Sequence, residues 1–358
     1  MSPHAHAPAD EWAEHVVGSA MAAMETLAIH LGDRLGWYRA LADSGPHTAA
    51  SLAAATGTNV RYAREWLEHQ AAAGMVTAAE ADGERTFALP PGAAEALTDG
   101  SSLAYAAPIA RMVAAAATQM PALLEAYRGG GGVSWADLGD DARWAQAEVN
   151  RPWFDTMLAP ALASVPELDG ILSRPGARIA DVACGAGWSA LALARAYPEA
   201  RVTGIDVDGP SIVQARANAA EAGLSDRVEF LEQDAGSLEG PYDAAFVLEA
   251  LHDMPQPVEA LEAIRGAVRE DGAVVVMDEA VAEQPAEPGD DVERLMYGYS
   301  ILVCLPDSMS ATPTAATGTV MRPAVLRGYA ADAGFADVTV LPIEDFAFFR
   351  FYRLHHPD

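Results

Sequence analysis

The chain is poor in basic residues and in cysteine. Of its 358 residues, 22 are lysine or arginine and 51 are aspartate or glutamate, which gives a formal net charge of −29. A protein that binds nucleic acid neutralises phosphates with cationic side chains, so this balance argues against nucleic-acid and anionic-membrane partners. The two cysteines, Cys184 and Cys304, are too few for a disulfide framework.

Long apolar runs are lacking as well. Charged residues or glycine interrupt each run before it reaches the length of a membrane-spanning helix. Residues 1–10 have no basic start that leads into an apolar stretch, so no secretory signal is expected. We therefore expect reduced thiols and a cytoplasmic location. With 51% hydrophobic residues, the chain has ample material for a core, and its length suits two domains.

Three segments are predicted along the chain. Residues 1–100 are expected to form a mainly helical winged-helix and dimerisation domain, and residues 101–175 a helical connector with a glycine loop at 129–132. Residues 176–358 alternate between apolar runs and helical stretches. This alternation predicts a parallel sheet covered by helices on both faces, an α/β fold. The expected strands are 179–182, 202–205, 228–231, 244–248 and 273–277.

The first segment has the order of elements found in a winged helix. Apolar residues three or four apart predict a helix over 11–41. A short helix that ends at Gly57 follows. A longer one begins after Thr58 or Asn59 and ends at Gly74.

A hairpin with its turn at Asp82 and Gly83 completes this module. Such a module can bind DNA or mediate dimerisation. The second helix and the hairpin carry Glu65, Glu68 and Glu80, whereas helices that enter a DNA groove are normally basic. We therefore favour dimerisation and expect a homodimer.

The most informative segment lies where the first predicted strand of the α/β domain ends. Asp181 is followed by Ala183, Gly185 and Gly187, whose small size lets a ligand approach the backbone closely. Taken alone, this pattern also fits a dinucleotide-binding loop with Asp206 as the ribose-binding acid.

Three acids favour a different ligand. Asp181 would repel a pyrophosphate but would suit the ammonium group of a bound amino acid. Asp206 and Asp234 end the next two strands, each about one strand-helix-strand unit further on. The three carboxylates suit an amine, a ribose diol and an adenine amine, although each alone could be a turn or cap residue.

With these residues the chain, from about Arg178 onward, resembles the class I S-adenosylmethionine-dependent methyltransferases. The resemblance implies a Rossmann-like, seven-stranded sheet with an antiparallel last strand, for which residues 338–341 and 346–352 are candidate strands. It implies S-adenosyl-L-methionine as the cofactor. Family members usually carry glycine where this chain has Ala183. The cofactor-binding residues implied are Asp181, Ala183, Gly185, Gly187, Asp206, Val207, Asp234, Ala235, Glu249 and Met157.

The layout of the whole chain is similar to that of small-molecule O-methyltransferases, which implies a small-molecule substrate. The segment from Phe154 to Met157 resembles a Phe-x-x-Met stretch near the cofactor of those enzymes. The alternative is a helix-core pair three residues apart. We expect an apolar or aromatic acceptor, bound by Trp153, Phe154, Met296 and Tyr297.

The same resemblance places the chemistry after the fourth strand. There it assigns the role of general base to His252, with Asp253 to orient the imidazole. A histidine with a pKa of about 6.5 can take the proton of a hydroxyl at neutral pH. Both residues could instead cap the following helix. Glu249 could join them as a metal ligand, but no other histidines cluster nearby, so no metal is expected.

Three other functions compete with methyl transfer. A protein of the same fold could bind the cofactor and catalyse non-methylating chemistry. The winged helix could belong to a ligand-responsive transcription regulator. A dehydrogenase is disfavoured by Asp181 and Asp234, because a dinucleotide carries a pyrophosphate.

Overall fold

The structure is a computed structural model that describes residues 8–81 and 83–357. The first seven residues and Asp82 of the predicted turn lie outside the described residues. Within these limits the chain packs into two units, Met1–Ala115 with Trp144–Pro152, and Ala116–Arg143 with Trp153–Asp358. The boundaries predicted at residues 100 and 175 stay a prediction, because these units are defined by packing and not by independent folding.

The N-terminal part of the chain is helical apart from one two-stranded hairpin. Its elements are α1 (Ala9–Arg34), α2 (Trp37–Ser44), α3 (Ala49–Thr56), α4 (Val60–Ala72), β1 (Thr77–Ala81), β2 (Glu84–Ala88), α5 (Pro91–Thr98), α6 (Ala107–Thr118), α7 (Met120–Gly129) and α8 (Trp135–Trp153).

Local capping signals set the ends of the two winged-helix helices. The Thr48 side chain accepts a hydrogen bond from the Ser51 N–H and forms a capping box at the start of α3, which ends before Gly57. The Asn59 side chain accepts from the Arg61 N–H at the start of α4. The predicted order of helix, helix and hairpin is therefore confirmed.

The helix predicted over 11–41 is divided in two. Gly36 lies between α1 and α2 with φ at +70°, a left-handed conformation that glycine adopts without steric cost. The apolar spacing continues across this break, so periodicity alone does not reveal it. The apolar side chains of α1 on which this prediction rests are largely exposed in the structure.

The α/β part follows with seven strands. Its elements are a π-helical turn (Phe154–Leu158), α9 (Ala159–Ala163), α10 (Pro166–Leu172), β3 (Arg178–Val182), α11 (Trp188–Ala196), β4 (Arg201–Asp206), α12 (Gly209–Glu221), β5 (Val228–Glu232), a 3-10 turn (Ala235–Ser237), β6 (Tyr242–Leu248), α13 (Pro257–Ala267), β7 (Val268–Glu279), α14 (Asp291–Tyr299), a second π-helical turn (Ser300–Cys304), α15 (Leu305–Ser308), α16 (Pro323–Asp332), β8 (Asp337–Val340) and β9 (Phe349–His355).

The seven strands form one sheet in the order β5-β4-β3-β6-β7-β9-β8. The first five are parallel to their neighbours, and β9 is antiparallel to both β7 and β8. Hydrophobic cores lie on both faces, because β3, β6 and β7 are buried on both sides. The predicted α/β fold with a seven-stranded Rossmann-like sheet is confirmed.

The order of the strands reverses at β3. The chain runs from β3 outward through β4 to β5 and returns on the other side of β3 as β6. In an open sheet of this kind, ligands bind beyond the carboxyl ends of the strands at such a switch point. The loop after β3 and the segment after β6 are therefore brought to one crevice.

The segment between β7 and α16 carries α14, the second π-helical turn and α15, and its last part has no regular structure. Across residues 8–81 and 83–357, none of the helices combines the length and the apolar character that a membrane span requires.

Candidate active site

The loop after β3 is built from left-handed residues. Ala183, Gly185 and Gly187 have φ values of +58°, +51° and +79°. For an alanine this conformation costs roughly 1–2 kcal/mol. Ala183 thus adopts a backbone conformation that glycine would adopt more easily. This is the position at which family members usually carry glycine.

Gly187 is the tightest point of this loop. A Cβ atom there would lie 2.4 Å from the Cζ atom of Phe230 and 3.0 Å from the Cβ atom of Ala215. Phe230 belongs to β5 and is buried. A side chain at position 187 would therefore push the loop away from the sheet.

Asp206 fastens the loop to the end of β4. Its Oδ2 accepts a hydrogen bond from the Gly185 N–H and its Oδ1 accepts one from the Asp208 N–H, each at 2.8 Å. Burial raises the pKa of Asp206 above its ordinary value, although these two hydrogen bonds act in the opposite direction. Each carboxylate oxygen keeps acceptor capacity for a ligand hydroxyl.

Asp181 is buried at the end of β3, with 1% of its surface exposed. Its Oδ2 accepts a hydrogen bond of 2.6 Å from the Ser189 hydroxyl. Burial, with the nearby charge of Asp206, raises the pKa of Asp181 from 3.8 to about 7, although the Ser189 hydrogen bond lowers it. Neither Asp181 nor Asp206 forms an ion pair within the part of the chain that the structure describes.

The three predicted acids rise along the strand direction. In the sheet register, Asp181 is opposite Gly204 and Asp206 is opposite Glu232. Asp206 therefore lies two residues further along than Asp181, and Asp234 a further two, which is roughly 7 Å per step at about 3.3 Å per residue. The acids follow the length of an extended ligand.

Asp234 differs from the other two acids because it is exposed. Its side chain accepts a hydrogen bond of 2.8 Å from the Gly236 N–H and caps the 3-10 turn after β5. For Asp234, the alternative interpretation as a turn or cap residue is therefore confirmed. A role in holding adenine stays a prediction.

The remaining predicted cofactor residues occupy different environments. Val207 follows Asp206 and is 67% exposed, and Ala235 is partly buried after Asp234. Glu249 follows β6 with φ at +55°, and its N–H donates to the Met277 carbonyl. Met157 lies on the first π-helical turn and packs against the core below the sheet.

His252 is buried beyond the end of β6, with 1% of its surface exposed. Its Nδ1 lies 3.0 Å and 3.1 Å from the two carboxylate oxygens of Asp278 and 3.4 Å from Glu279 Oε2. Its Nε2 lies 3.3 Å from Asp253 Oδ1. The acid that orients the ring is thus Asp278 at the end of β7, and the predicted partner Asp253 faces the other nitrogen.

The charges around His252 depend on one another. Burial alone would lower the pKa of His252, but Asp253, Asp278 and Glu279 outweigh it and raise the pKa well above its usual range. Burial likewise raises the pKa of Glu279 well above its usual range. The three acids thus favour the protonated form of His252, and burial favours the protonated form of Glu279.

The alternative that His252 and Asp253 cap the next helix is wrong. Helix α13 begins at Pro257, and its N-cap residue is Gln256. Sequence reasoning missed Asp278 and Cys304, which the fold brings to His252 from β7 and from the second π-helical turn. An acidic pair at the end of a strand was the available signal for Asp278. No signal marked Cys304.

The predicted substrate residues do not share one environment. Phe154 belongs to the buried core, and Trp153 packs beside it on Phe346, with ring centroids 5.8 Å apart. Met296 is 2% exposed, whereas Tyr297, next to it on α14, is 44% exposed and its hydroxyl accepts from Arg322 at 3.3 Å. Of these four residues, Tyr297 offers the most surface to a ligand.

The donor set of the crevice fits S-adenosylmethionine. The carboxyl groups of the buried Asp181 and the partly buried Asp206 have no cationic partner among the described residues, so a cationic ligand is favoured over a dinucleotide pyrophosphate. Arg143 is bonded to Asp208 instead, at 2.7 Å and 3.0 Å. The small residues of the loop leave room for the ligand beside the backbone.

Comparison with known families identifies both parts of the chain. Residues 179–272 match the model of a methyltransferase domain. Residues 22–99 match the model of an Rv2258c-like winged HTH domain.

Curated relatives match the chain over part of its length. A 27-O-demethylrifamycin SV methyltransferase from Amycolatopsis mediterranei is 30% identical over 169 residues, which cover 45% of this chain and 61% of that protein. A ubiquinone biosynthesis O-methyltransferase from Paracidovorax citrulli is 35% identical over 111 residues, which cover 30% of this chain and 45% of that protein. The chain thus spans less than two thirds of each of these relatives.

Solved structures share the fold over almost the whole chain. The mitomycin 7-O-methyltransferase superposes with a TM-score of 0.73 at 23% identity and covers 98% of this chain and 99% of its own. Human N-acetylserotonin methyltransferase superposes with a TM-score of 0.72 at 17% identity and covers 97% and 98%.

Residues 179–272 are thus a methyltransferase domain, and they include the strands on either side of the crevice after β3. The chain joins this domain to an N-terminal winged helix-turn-helix domain. The predicted domain family is therefore confirmed.

Replacement of Gly187 by alanine should destabilise the protein more than the same change at Gly223. Both glycines have positive φ, at +79° and +67°, but only Gly187 has atoms close to the added Cβ. The difference in the free energy of unfolding should be about 1–3 kcal/mol, the typical cost of overpacking. Urea unfolding of the two variants measures it. Equal losses would show that the loop can move away from Phe230.

Replacement of Asp181 by asparagine should stabilise the protein at pH 8 and weaken cofactor binding. Because the folded pKa of about 7 lies above the ordinary 3.8, this group's contribution to stability is fully present below pH 3.8 and is lost as the pH rises through 7. At pH 8 the variant should therefore gain on the order of 1–4 kcal/mol, and at pH 4 almost nothing.

Thermal unfolding at both pH values measures this gain, and calorimetry with S-adenosylmethionine measures affinity. Asp234→Asn is the matched control, because Asp234 is exposed. It should leave the unfolding midpoint almost unchanged at both pH values. A gain for Asp181→Asn that does not depend on pH would contradict the assignment of a buried, ionisable carboxyl.

Proposed function

We propose that the protein transfers the methyl group of S-adenosylmethionine to a hydroxyl oxygen of an apolar or aromatic small molecule. The observation that carries this proposal is the crevice after β3, where the buried Asp181 and the partly buried Asp206 have no cationic partner among the described residues. When bound there, S-adenosylmethionine supplies a methyl group on a positively charged sulfur. Two curated relatives, an O-methyltransferase of ubiquinone biosynthesis and a methyltransferase of a 27-O-demethylated rifamycin, support an oxygen acceptor.

The residues of the crevice have separate roles in holding the cofactor. Asp181 would attract the ammonium group, and Asp206 would accept hydrogen bonds from the ribose diol. Asp234, with Val207 and Ala235, would border the adenine. Glu249 and Met157 are proposed to complete this side of the site.

His252 is proposed to act at the acceptor. Its Nδ1 is bonded to the Asp278 carboxylate, which fixes the ring, so Nε2 is the atom that would receive the hydroxyl proton when the ring is in its neutral form. Asp253, close to Nε2, would orient the acceptor. Trp153, Phe154, Met296 and Tyr297 are proposed to shape the cavity for an apolar ring.

The competing functions receive less support. A regulator that binds DNA would need several free basic residues on α4 and the hairpin, but Arg61 pairs with Glu65, and Arg85 pairs with Glu68 and Glu80. Of the arginines in these elements, this leaves Arg64 on α4, which is exposed. The chain also keeps its strong acidic excess. We therefore propose no nucleic-acid or membrane partner and a cytoplasmic location. Non-methylating chemistry on the same fold would be recognised by the absence of S-adenosylhomocysteine after turnover.

Helix α1 supports the proposal of a homodimer. It is 26 residues long, and the only residue of it that is buried is Gly32. One stripe of it carries large apolar side chains that are 40–64% exposed, and a stripe of this size indicates a protein interface. A second copy of α1 would match it through a two-fold axis. The stripe and the residue after the helix contain Trp12, Val16, Val17, Met21, Met24, Leu27, Leu31 and Leu35.

Replacement of His252 by glutamine should affect catalysis but not cofactor binding. His252→Gln should lower the rate of methyl transfer by about 10²- to 10⁴-fold, because proton transfer is lost, and should leave cofactor affinity unchanged. Asp206→Ala should weaken cofactor affinity. Mass spectrometry of the methylated acceptor and calorimetry measure the two effects. Full activity of His252→Gln would remove it from the reaction.

Charge on α1 should dissociate the proposed dimer. The double variant Met21→Glu, Met24→Glu should elute as a monomer in size exclusion with light scattering, because like charges would meet across the two-fold axis. Val213→Glu on α12 is the control, since Val213 is 66% exposed outside α1. It should leave the mass unchanged. A wild-type monomer, or a double variant that remains dimeric, would overturn the proposed interface.

A further inference from the structure

A groove that contains four arginines lies at the edge of the sheet formed by β5, near the amino-terminal ends of β3, β4 and β5. Its volume is about 560 Å³, which is within the range of small-molecule sites, roughly 300–1,000 Å³. The groove is lined by none of the residues proposed to hold the cofactor. It is therefore a separate site. Its arginines are Arg178, Arg201, Arg216 and Arg227.

The sheet is covered on only one face at this edge. The residues of β5 alternate between buried and more exposed positions, whereas those of β3 are all buried after the first residue. Val202, Val228 and Phe230 pack into the core on the covered face. Thr203 is partly buried and Glu229 is exposed on the other face. Parallel strands are normally covered on both faces, so this open face leaves a surface on which a ligand can lie.

Two of the arginines are direct neighbours across the strands. Arg178 is opposite Arg201 in the register of β3 and β4, so both side chains leave the sheet on the same face, that of Thr203. Arg227 continues the row at the start of β5, where its carbonyl accepts a hydrogen bond from the Val202 N–H. Neighbouring strands are roughly 4.8 Å apart, and like charges directly opposite each other are destabilising. The row of arginines therefore has a cost in stability.

Among residues 8–81 and 83–357, no carboxylate forms an ion pair with any of these four arginines. Asp243 accepts a hydrogen bond of 2.9 Å from the Arg178 N–H, but its ion pairs are with two arginines outside the groove. The groove is lined by two acids, Asp226 and Glu229, so it has a formal excess of two positive charges. The whole chain carries −29. The groove is thus a basic site on an acidic protein.

The guanidinium groups keep donors for a ligand. A guanidinium has five N–H donors. Arg201 donates to the Asp226 carbonyl at 3.1 Å, and Arg216 donates twice to a carbonyl of β5. The Arg178 guanidinium lies 5.1 Å from the centre of the Tyr242 ring and donates no hydrogen bond to any residue that the structure describes. Arg178 and Arg201 therefore have the most N–H groups free to bind an anion.

We propose that this groove binds a small molecule through a phosphate group, which Arg178 and Arg201 contact. A phosphate monoester has three acceptor oxygens and a charge of about −1.5 to −2 at neutral pH, so a single group neutralises both arginines. A carboxylate has a single negative charge and leaves one arginine unneutralised. Guanidinium groups also match phosphate geometry, because two parallel N–H donors bind two oxygens.

The acidic surface outside the groove limits the size of the ligand. The net charge of −29 repels an extended polyanion such as a nucleic acid. At physiological ionic strength, charges more than about 8 Å away are largely screened. A small phosphorylated molecule therefore responds mainly to the arginines of the groove.

Inorganic phosphate is the probe, titrated into the full-length protein at constant ionic strength with chloride as the balancing salt. Phosphorus NMR should show saturable binding at a single site. Arg201→Gln should weaken this binding by about 10–100-fold, because charge-assisted hydrogen bonds are lost. Arg64→Gln is the matched control, since it removes the same charge from an exposed position on α4. It should leave the phosphate affinity unchanged.

Thermal unfolding provides a second measurement. Phosphate should raise the unfolding midpoint of the wild type above its value in chloride of equal ionic strength, because a ligand that binds only the folded state stabilises it. It should not raise the midpoint of Arg201→Gln. Without phosphate this variant should be at least as stable as the wild type, because the repulsion from Arg178 is removed.

Two results would overturn the site: phosphate binding that does not saturate, or an equal loss of affinity in Arg64→Gln and Arg201→Gln. Acetate is titrated under the same conditions as the carboxylate probe. Acetate that binds as tightly as phosphate would overturn the assignment of the ligand group.

Discussion

Two carboxyl groups without a protein cation are the constraint on which the α/β domain depends. Asp181, which is buried, and Asp206, which is partly buried, end adjacent strands at the switch point of the sheet, where desolvation disfavours their charge. A core selected only for stability would contain apolar groups there. A bound cationic ligand would offset the free-energy cost of desolvating these two carboxyl groups. Asp206 also accepts a hydrogen bond from the Gly185 N–H and so holds the loop in place. The same carboxyl group therefore contributes to both the charge and the shape of the crevice.

The chemistry of the acceptor side follows from the same principle of burial. His252 is enclosed by Asp253, Asp278 and Glu279, which arrive from two strand ends. Burial and the neighbouring acids therefore act together on this group of side chains. Asp278 fixes one nitrogen of the ring, and the opposite nitrogen faces Asp253. The proposed proton transfer from the acceptor hydroxyl uses that opposite nitrogen.

The N-terminal region shows what local signals can and cannot predict. The capping residues Thr48 and Asn59 set the starts of α3 and α4, because a helix end needs partners for its free N–H groups. The apolar spacing of α1 indicates a helix equally well. It does not say what covers the apolar stripe, which is exposed in the structure. The proposed homodimer would cover it with a second copy of α1.

The sequence by itself determined the α/β class, the order of the strands along the chain, and the acids Asp181, Asp206 and Asp234 that follow three of them. Strand alternation, helix caps and small residues after a strand act over a few residues, so they can be recognised without a structure. Only the tertiary structure decided that Asp278 orients His252, that Cys304 joins Asp253, and that Asp234 remains exposed. These relations join residues far apart in the chain, and they depend on sheet register and on a π-helical turn. Neither feature produces a periodic pattern of residues that can be recognised in the sequence.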